Sequence, residues 1–445
     1  MDNRITLTDS PNRQVLSLAL PIVATNILSR GPAIVDTAFI GHIGANQLAA
    51  VGLAQLFIFS MQAFTHATAI AGTVMVAHRT GENRLTLRQS ETSGNFTMAL
   101  IIGLSISAIA YNLSSWAGTM MGTSGAVHEH LVDYLSIYWW FFTFKLLSFF
   151  LSSIFQGSGD SRTPMKVIGS LNLLNIALDY GLIFGKFGLP EMGVRGAALA
   201  TGISETLGAS ALFVMAIRQG LIKFELRLPT REAALKFAKL AIPVLGERLL
   251  NITTMLVFAR MVISFSVTAY AAHMMGVNIE MVSLLTGFAF MQATTALVGQ
   301  NLGAKKPEKA KLMAKRASFI SFGIMTSLAA LLLVYPEFWV RIFTDDKEVI
   351  FYGVKFLSYA VWCLPIMAIA LTYAGGLRGA GEVRYVMYIT TGSGWLVRLL
   401  MAYIFAFVLD YGVDGLWVMM PVDWIVRATA LYIYFYRRDW TKELV

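Results

Sequence analysis

Apolar residues lie along this chain in long blocks separated by short polar stretches. A helix needs about 20 apolar residues to cross the hydrocarbon core of a bilayer. Twelve blocks meet that length. They fall at 14–40, 47–78, 93–117, 131–156, 163–186 and 194–217 in the first half, and at 237–264, 268–300, 314–336, 350–377, 384–409 and 413–436 in the second. The pattern predicts an all-α integral membrane protein with twelve transmembrane helices. Lys and Arg crowd into alternate loops, and the opposite loops hold only Lys186, Arg195, Arg341 and Lys347. The positive-inside rule then puts both termini of this multi-pass chain in the cytoplasm.

The pattern also repeats. The run LALP at Leu18–Pro21 returns as LAIP at Leu240–Pro243, an offset of 222 residues. The same offset pairs Thr73 with Thr295, Gly81 with Gly303, and QGSGDSR (Gln156–Arg162) with RGAGEVR (Arg378–Arg384). Six helices per half is an even number, so both halves enter the membrane the same way. The expected architecture is two pseudo-symmetric six-helix lobes, a parallel repeat about an axis along the membrane normal, which is a common transporter plan. The lobes are expected at 1–217 and 237–445, with a basic cytoplasmic linker at 218–236.

Composition agrees and removes other classes. The chain is 56% hydrophobic and 14% charged, against about 25% charged in soluble domains. A net charge of +9 would suit nucleic acid, but the basic residues follow topology, so no nucleic-acid partner is expected. Cys363 is the only cysteine, which leaves no disulfide framework and no cysteine zinc site. The N-terminus has no basic leader with a small-residue cleavage site, so the first block is expected to stay as helix 1. H-E-x-x-H, G-x-S-x-G, a Cys-His pair and the Gly-Lys-Ser/Thr of a P-loop are all missing, so an enzyme is not expected.

One block carries a charge. In GPAIVDTAFIG (Gly31–Gly41), Asp36 lies inside a membrane-length apolar run, where a carboxylate costs on the order of 3 kcal/mol. Snorkelling to water is the bland explanation, but an Asp side chain is too short to reach far. Helix 5 offers partners, since Asn175 and Asp179 of NIALDYG are i and i+4 and share one face. On helix 6, Thr201 of GAALATG is another polar position. The repeat mates of these four, Phe258, Val397, Met401 and (by a local offset of 219) Met420, are all apolar. Such asymmetry is expected of an ion or proton site built into one lobe. Two carboxylates, an amide and a hydroxyl are hard oxygen ligands suited to Na⁺, and the same acids could instead hold a proton. Taken singly, Thr201 could bond its own helix carbonyl and Asn175 could join helices.

The run LPIVATNILSRGPAIVDTAFIGHIGANQLAAVGLA resembles helices 1 and 2 of the multidrug and toxic compound extrusion (MATE) transporters, in their DinF-like prokaryotic branch. The resemblance covers nearly the whole chain. It implies export of amphiphilic or cationic small molecules against H⁺ or Na⁺ by alternating access, with no cofactor beyond that ion. It implies that Asp36, Asn175, Asp179 and Thr201 form the coupling site, as metal ligands if the ion is Na⁺, and that helix 1 bends at Pro21. The NorM-like branch carries acids in its second lobe where this chain has Asn251 and Met367, so a second-lobe cation site of that kind is not expected.

Further candidates surround this set. Glu205, one turn after Thr201, is an accessory position on the same helix face. Arg260 and Glu280 are a candidate pair between helices 7 and 8. Met61, Phe64, Phe288 and Met291 are candidate cleft residues, because flexible Met and flat aromatic side chains suit a promiscuous site. A monomer in the lipid bilayer is expected. The competing reading is a lipid or lipid-linked sugar flippase of the same wider superfamily. Twelve helices and acids on helices 1 and 5 favour the exporter.

Overall fold

In hydrocarbon there is no water to satisfy backbone N–H and C=O groups, so each span must close its hydrogen bonds within itself as a helix. The computed structural model describes residues 10–225 and 227–438, and among them there are helices and turns but no strand. The helices are α1 (Pro11–Leu28), α2 (Gly31–Ile43), α3 (Ala45–Gly81), α4 (Leu85–Met120), α5 (Gly125–Gly157), α6 (Arg162–Phe184), α7 (Gly193–Arg218), α8 (Arg231–Phe265), α9 (Val267–Gly303), α10 (Pro307–Val334), α11 (Pro336–Arg341), α12 (Lys347–Gly379), α13 (Val383–Ser393) and α14 (Gly412–Arg437). After α13 the same span continues as two π-helical stretches, Gly394–Met401 and Ile404–Val408. Twelve spans among the described residues are long and apolar enough to cross a membrane, as the apolar blocks predict, with α1 and α2 making one of them. Helices α4 and α10 start earlier than their apolar blocks, at Leu85 and Pro307. Their first turns are polar, and hydropathy does not register a helix that extends into water.

The first span is interrupted at Ser29–Arg30, and α2 starts on Gly31–Pro32. Pro32 has no N–H to give and its ring crowds the carbonyl one turn back, which ends the preceding helix. Pro21, the expected bend, lies inside the continuous α1. The break therefore falls nearer to Asp36 than the sequence suggests.

Packing divides the chain into two units. The first is Ala24–Ala241, in which α2 packs on α3, α6 and α7, and α5 packs on α3, α4 and α7. The second comprises the described residues from Ile242 onward together with those before Ala24. In it α12 packs on α9, α10 and α14. These units depart from lobes at 1–217 and 237–445 at both ends of the first lobe. The start of α1 belongs to the second unit, where Val15, Leu18, Ala19 and Ile22 are buried with Phe290, Ala293 and Leu297 of α9 and Met313 of α10.

Each unit carries the marks of the repeat. Thr73 Oγ1 donates to the Ser153 carbonyl at 3.3 Å, and Thr295 Oγ1 to the Gly375 carbonyl at 3.0 Å. Both residues of the second bond lie 222 beyond those of the first. Gly157 and Gly379 face those same threonine carbonyls, and a Cβ would lie 2.7 and 2.4 Å from them. Gly159 and Gly381 follow with φ of +92° and +85°, a region that favours glycine. The acids of these turns cap the next helix or tie the turn to a distant one. Asp160 accepts from the backbone N–H groups of Arg162 and Thr163 and also from Gln219, while Glu382 pairs with Arg438 and accepts from the Tyr434 hydroxyl.

Candidate functional site

In the first unit three helices meet through glycines. Gly196 of α7 faces the Leu182 carbonyl of α6, where a Cβ would come within 2.5 Å. Gly202 of α7 likewise faces the Phe141 ring of α5, where a Cβ would come within 2.2 Å. These close approaches set α7 hard against α5 and α6. The short helix α2, freed by the break at Ser29–Arg30, lies against α6 and α7.

The acids point into this junction. Asp36 on α2 is 4% exposed, and Asp179 on α6 is fully buried. Asp179 lies within the field of Asp36. Asn175, also on α6 and buried, bridges to α7. With its amide nitrogen turned to the carboxylate, it donates to Asp179 Oδ2 at 3.2 Å, and its oxygen accepts from the Thr201 backbone N–H at 3.3 Å. The four residues picked from the sequence thus lie on the three helices that converge here. Asp36 Oδ1 and Asp179 Oδ1 are buried and accept no hydrogen bond among the described residues.

A fifth residue completes the site. Tyr134 of α5 is 1% exposed, with its hydroxyl against the Asp36 carboxylate and Asp179 nearby. Nothing in the sequence marks it, because Tyr134 is one of 16 tyrosines and tyrosine is at home in membrane helices.

The accessory candidates are placed differently. Glu205 is engaged by Lys145 of α5, Nζ to Oε1 at 2.8 Å, with both side chains about one-fifth exposed. This pair, Thr201, Tyr138 and Phe142 line one small hollow. Met61 and Phe64 of α3 are half-buried in the first unit, as is Phe288 of α9 in the second. Met291 is inside the second unit's core, and its sulfur accepts from Arg378 at 2.7 Å. Arg260 is exposed and forms no ion pair with Glu280 among the described residues. At the second-unit positions that match the site by the repeat, Phe258 and Met420 are buried in an apolar core.

Comparison with known proteins follows the same outline. The MatE family model matches residues 21–181 and again 243–404. The two matches begin 222 residues apart, at Pro21 and Pro243. The chain is 31% identical over 442 residues to a probable multidrug resistance protein NorM of Thermotoga maritima, covering 97% of this chain and 94% of the relative. It is 24% identical to the uncharacterized transporter YisQ of Bacillus subtilis, covering 96% and 95%. The crystal structure of a Vibrio cholerae MATE transporter has the same fold, with a TM-score of 0.90 at 19% identity over 96% of both chains. With a family model matched twice along the chain and a relative above 30% identity over nearly its whole length, this chain belongs to the MatE family of transporters.

Proposed function

We propose that this protein is a secondary active exporter that exchanges amphiphilic or cationic organic molecules for H⁺ or Na⁺ across the cytoplasmic membrane, with the coupling site in its first unit. The observation that carries this is the pair of buried carboxylates, each with one oxygen that meets no donor. An unfilled acceptor in a water-poor site is costly, and two ionised acids there also repel one another. A proton or Na⁺ relieves both penalties. Asp36, Asp179, the Asn175 oxygen and the Thr201 hydroxyl are the oxygens available to Na⁺, and Tyr134 holds Asp36 in place. The cation stabilises whichever state encloses the filled site, by its difference in affinity between states. About 5.5 kcal/mol would reverse a 1:99 population to 99:1. The exported molecule favours the opposite state. The DinF-like branch assignment rests on these first-lobe acids with Asn251 and Met367 opposite them. The names of the relatives support multidrug export, and family membership puts the flippase reading second.

The test is equilibrium binding of a fluorescent cationic dye to the purified protein in detergent. Raising proton or Na⁺ concentration should weaken dye binding, and the ion that does so is the coupling ion. Asp36→Asn should bind dye without sensitivity to that ion. Wild-type binding that ignores both pH and Na⁺, or full sensitivity kept by Asp36→Asn, would overturn the coupling role.

A further inference from the structure

The second unit holds buried charges on the helix pair that the repeat matches to α6 and α7. Asp423 and Arg427 lie one turn apart on α14, and Arg398 lies on the π-helical stretch Gly394–Met401. Asp423 is fully buried. Its Oδ1 accepts from Ser393 Oγ at 2.5 Å and Arg427 Nε at 2.8 Å, and its Oδ2 lies 2.9 Å from Arg398 Nε. Both guanidinium groups sit by the Trp424 ring, 5.9 Å away for Arg398 and 5.1 Å for Arg427. By the 222 offset Arg398 falls beside Val397, the mate of Asn175. By the 219 offset Asp423 matches Ser204, close to Thr201. Where one unit gathers acids, the other gathers guanidinium groups.

Arg398 is held but not filled. Its Nε and Nη2 are buried, yet among the described residues neither makes a hydrogen bond of good geometry, despite the short approach to Asp423. The charged and titratable groups around it are Glu280 and His273 of α9, Cys363 of α12, and Asp423 and Arg427 of α14. Glu280 feels its field but forms no ion pair with it within 4 Å among the described residues. Glu247 of α8 is taken by Arg378, at 2.7 Å. The Nε–Nη2 edge of arginine is a planar fork that matches two carboxylate oxygens. Buried donors left open are costly, and π-helical turns inside α-helices occur often at functional sites. The Arg398 side chain keeps 21% of its surface exposed away from these covered nitrogens, so a ligand reaches Nη2 once a neighbouring side chain moves aside.

We propose that Arg398 is a subsite for the carboxylate of an amphiphilic substrate, docked at Nη2, the nitrogen left open while Asp423 keeps Nε. Asp423 and Trp424 position the guanidinium and do not touch the ligand. The proposal deepens the exporter reading and rests on it. It adds compounds bearing a carboxylate, zwitterions among them, to the cargo.

The test uses the full chain in detergent at one fixed pH, with a matched probe pair: an aromatic amine carrying a free carboxylate, and its methyl ester. Wild type should bind the acid at least about tenfold more tightly than the ester, a difference of about 1.4 kcal/mol. Arg398→Gln should bind both alike, with ester affinity and its competition with H⁺ or Na⁺ unchanged. Arg398→Lys keeps the charge but not the fork. It should lose most of the preference, and it serves if Arg398→Gln fails to fold. A wild type that does not discriminate, a variant that keeps the preference, or an equal loss of both probes would each overturn the subsite. Ester binding to wild type that ignores H⁺ and Na⁺ would overturn the exporter reading instead.

Discussion

Asp36 was legible because a carboxylate in an apolar run contradicts its surroundings, and such contradictions mark function inside membranes. Asp423, Arg427 and Arg398 contradict their surroundings equally, in the runs VDWIVRA and WLVRLL. They do not fall on the repeat mates of Asp36, Asn175, Asp179 and Thr201, so the repeat does not point to them. Asp36→Asn and Asp179→Asn should each abolish gradient-driven efflux from proteoliposomes while the protein stays folded and in the membrane. Asn251→Ala and Met367→Ala should cost much less, and equal losses would remove the one-unit coupling site. Tyr134→Phe keeps the ring and removes one hydroxyl. The loss of one buried hydrogen bond is worth about 1 kcal/mol, so the concentration of coupling ion giving half-maximal inhibition of dye binding should shift several-fold. An unchanged midpoint would reduce Tyr134 to packing.

Helices announce themselves through apolar length, so twelve spans could be read, whereas their irregularities could not. The break comes before Pro32, while Pro21 sits inside α1, as a proline can in a membrane helix when neighbours satisfy the freed carbonyl. The π-helical stretch had no sequence signal. It shifts the register of its span, so the offset of 222 places Val397 and Met401 opposite the site residues while Met401 is 40% exposed. Close helix approach is testable at glycines. Gly196→Ala would press a methyl group onto the Leu182 carbonyl and should destabilise by about 1–3 kcal/mol, read as a lower melting temperature in detergent. Gly392→Ala meets nothing within 4 Å and should be neutral or slightly stabilising, since Ala is the better helix former. If both variants melted alike, the α6–α7 contact would not be tight.

For the molecule as a whole, the offset of 222 survived from four letters of sequence to hydrogen bonds and turn angles, because it fixes where backbones touch. The topology proposed from Lys and Arg can be checked directly. In a Cys363→Ser background, Lys306→Cys should resist an impermeant thiol reagent in intact cells and react in opened ones, whereas labelling in intact cells would invert the orientation. What sequence could not convey was that the first turns of the chain, through Val23, pack with the second unit. That has a consequence for synthesis. Val15, Leu18 and Ile22 leave the ribosome well before α9 and α10, which bury them. Domains made early usually fold early, and here one segment must wait in lipid while six later spans are inserted. Assembly of the second half therefore waits for an early segment of the chain to dock onto helices made much later, so a lesion in that segment would register as a late failure of biogenesis.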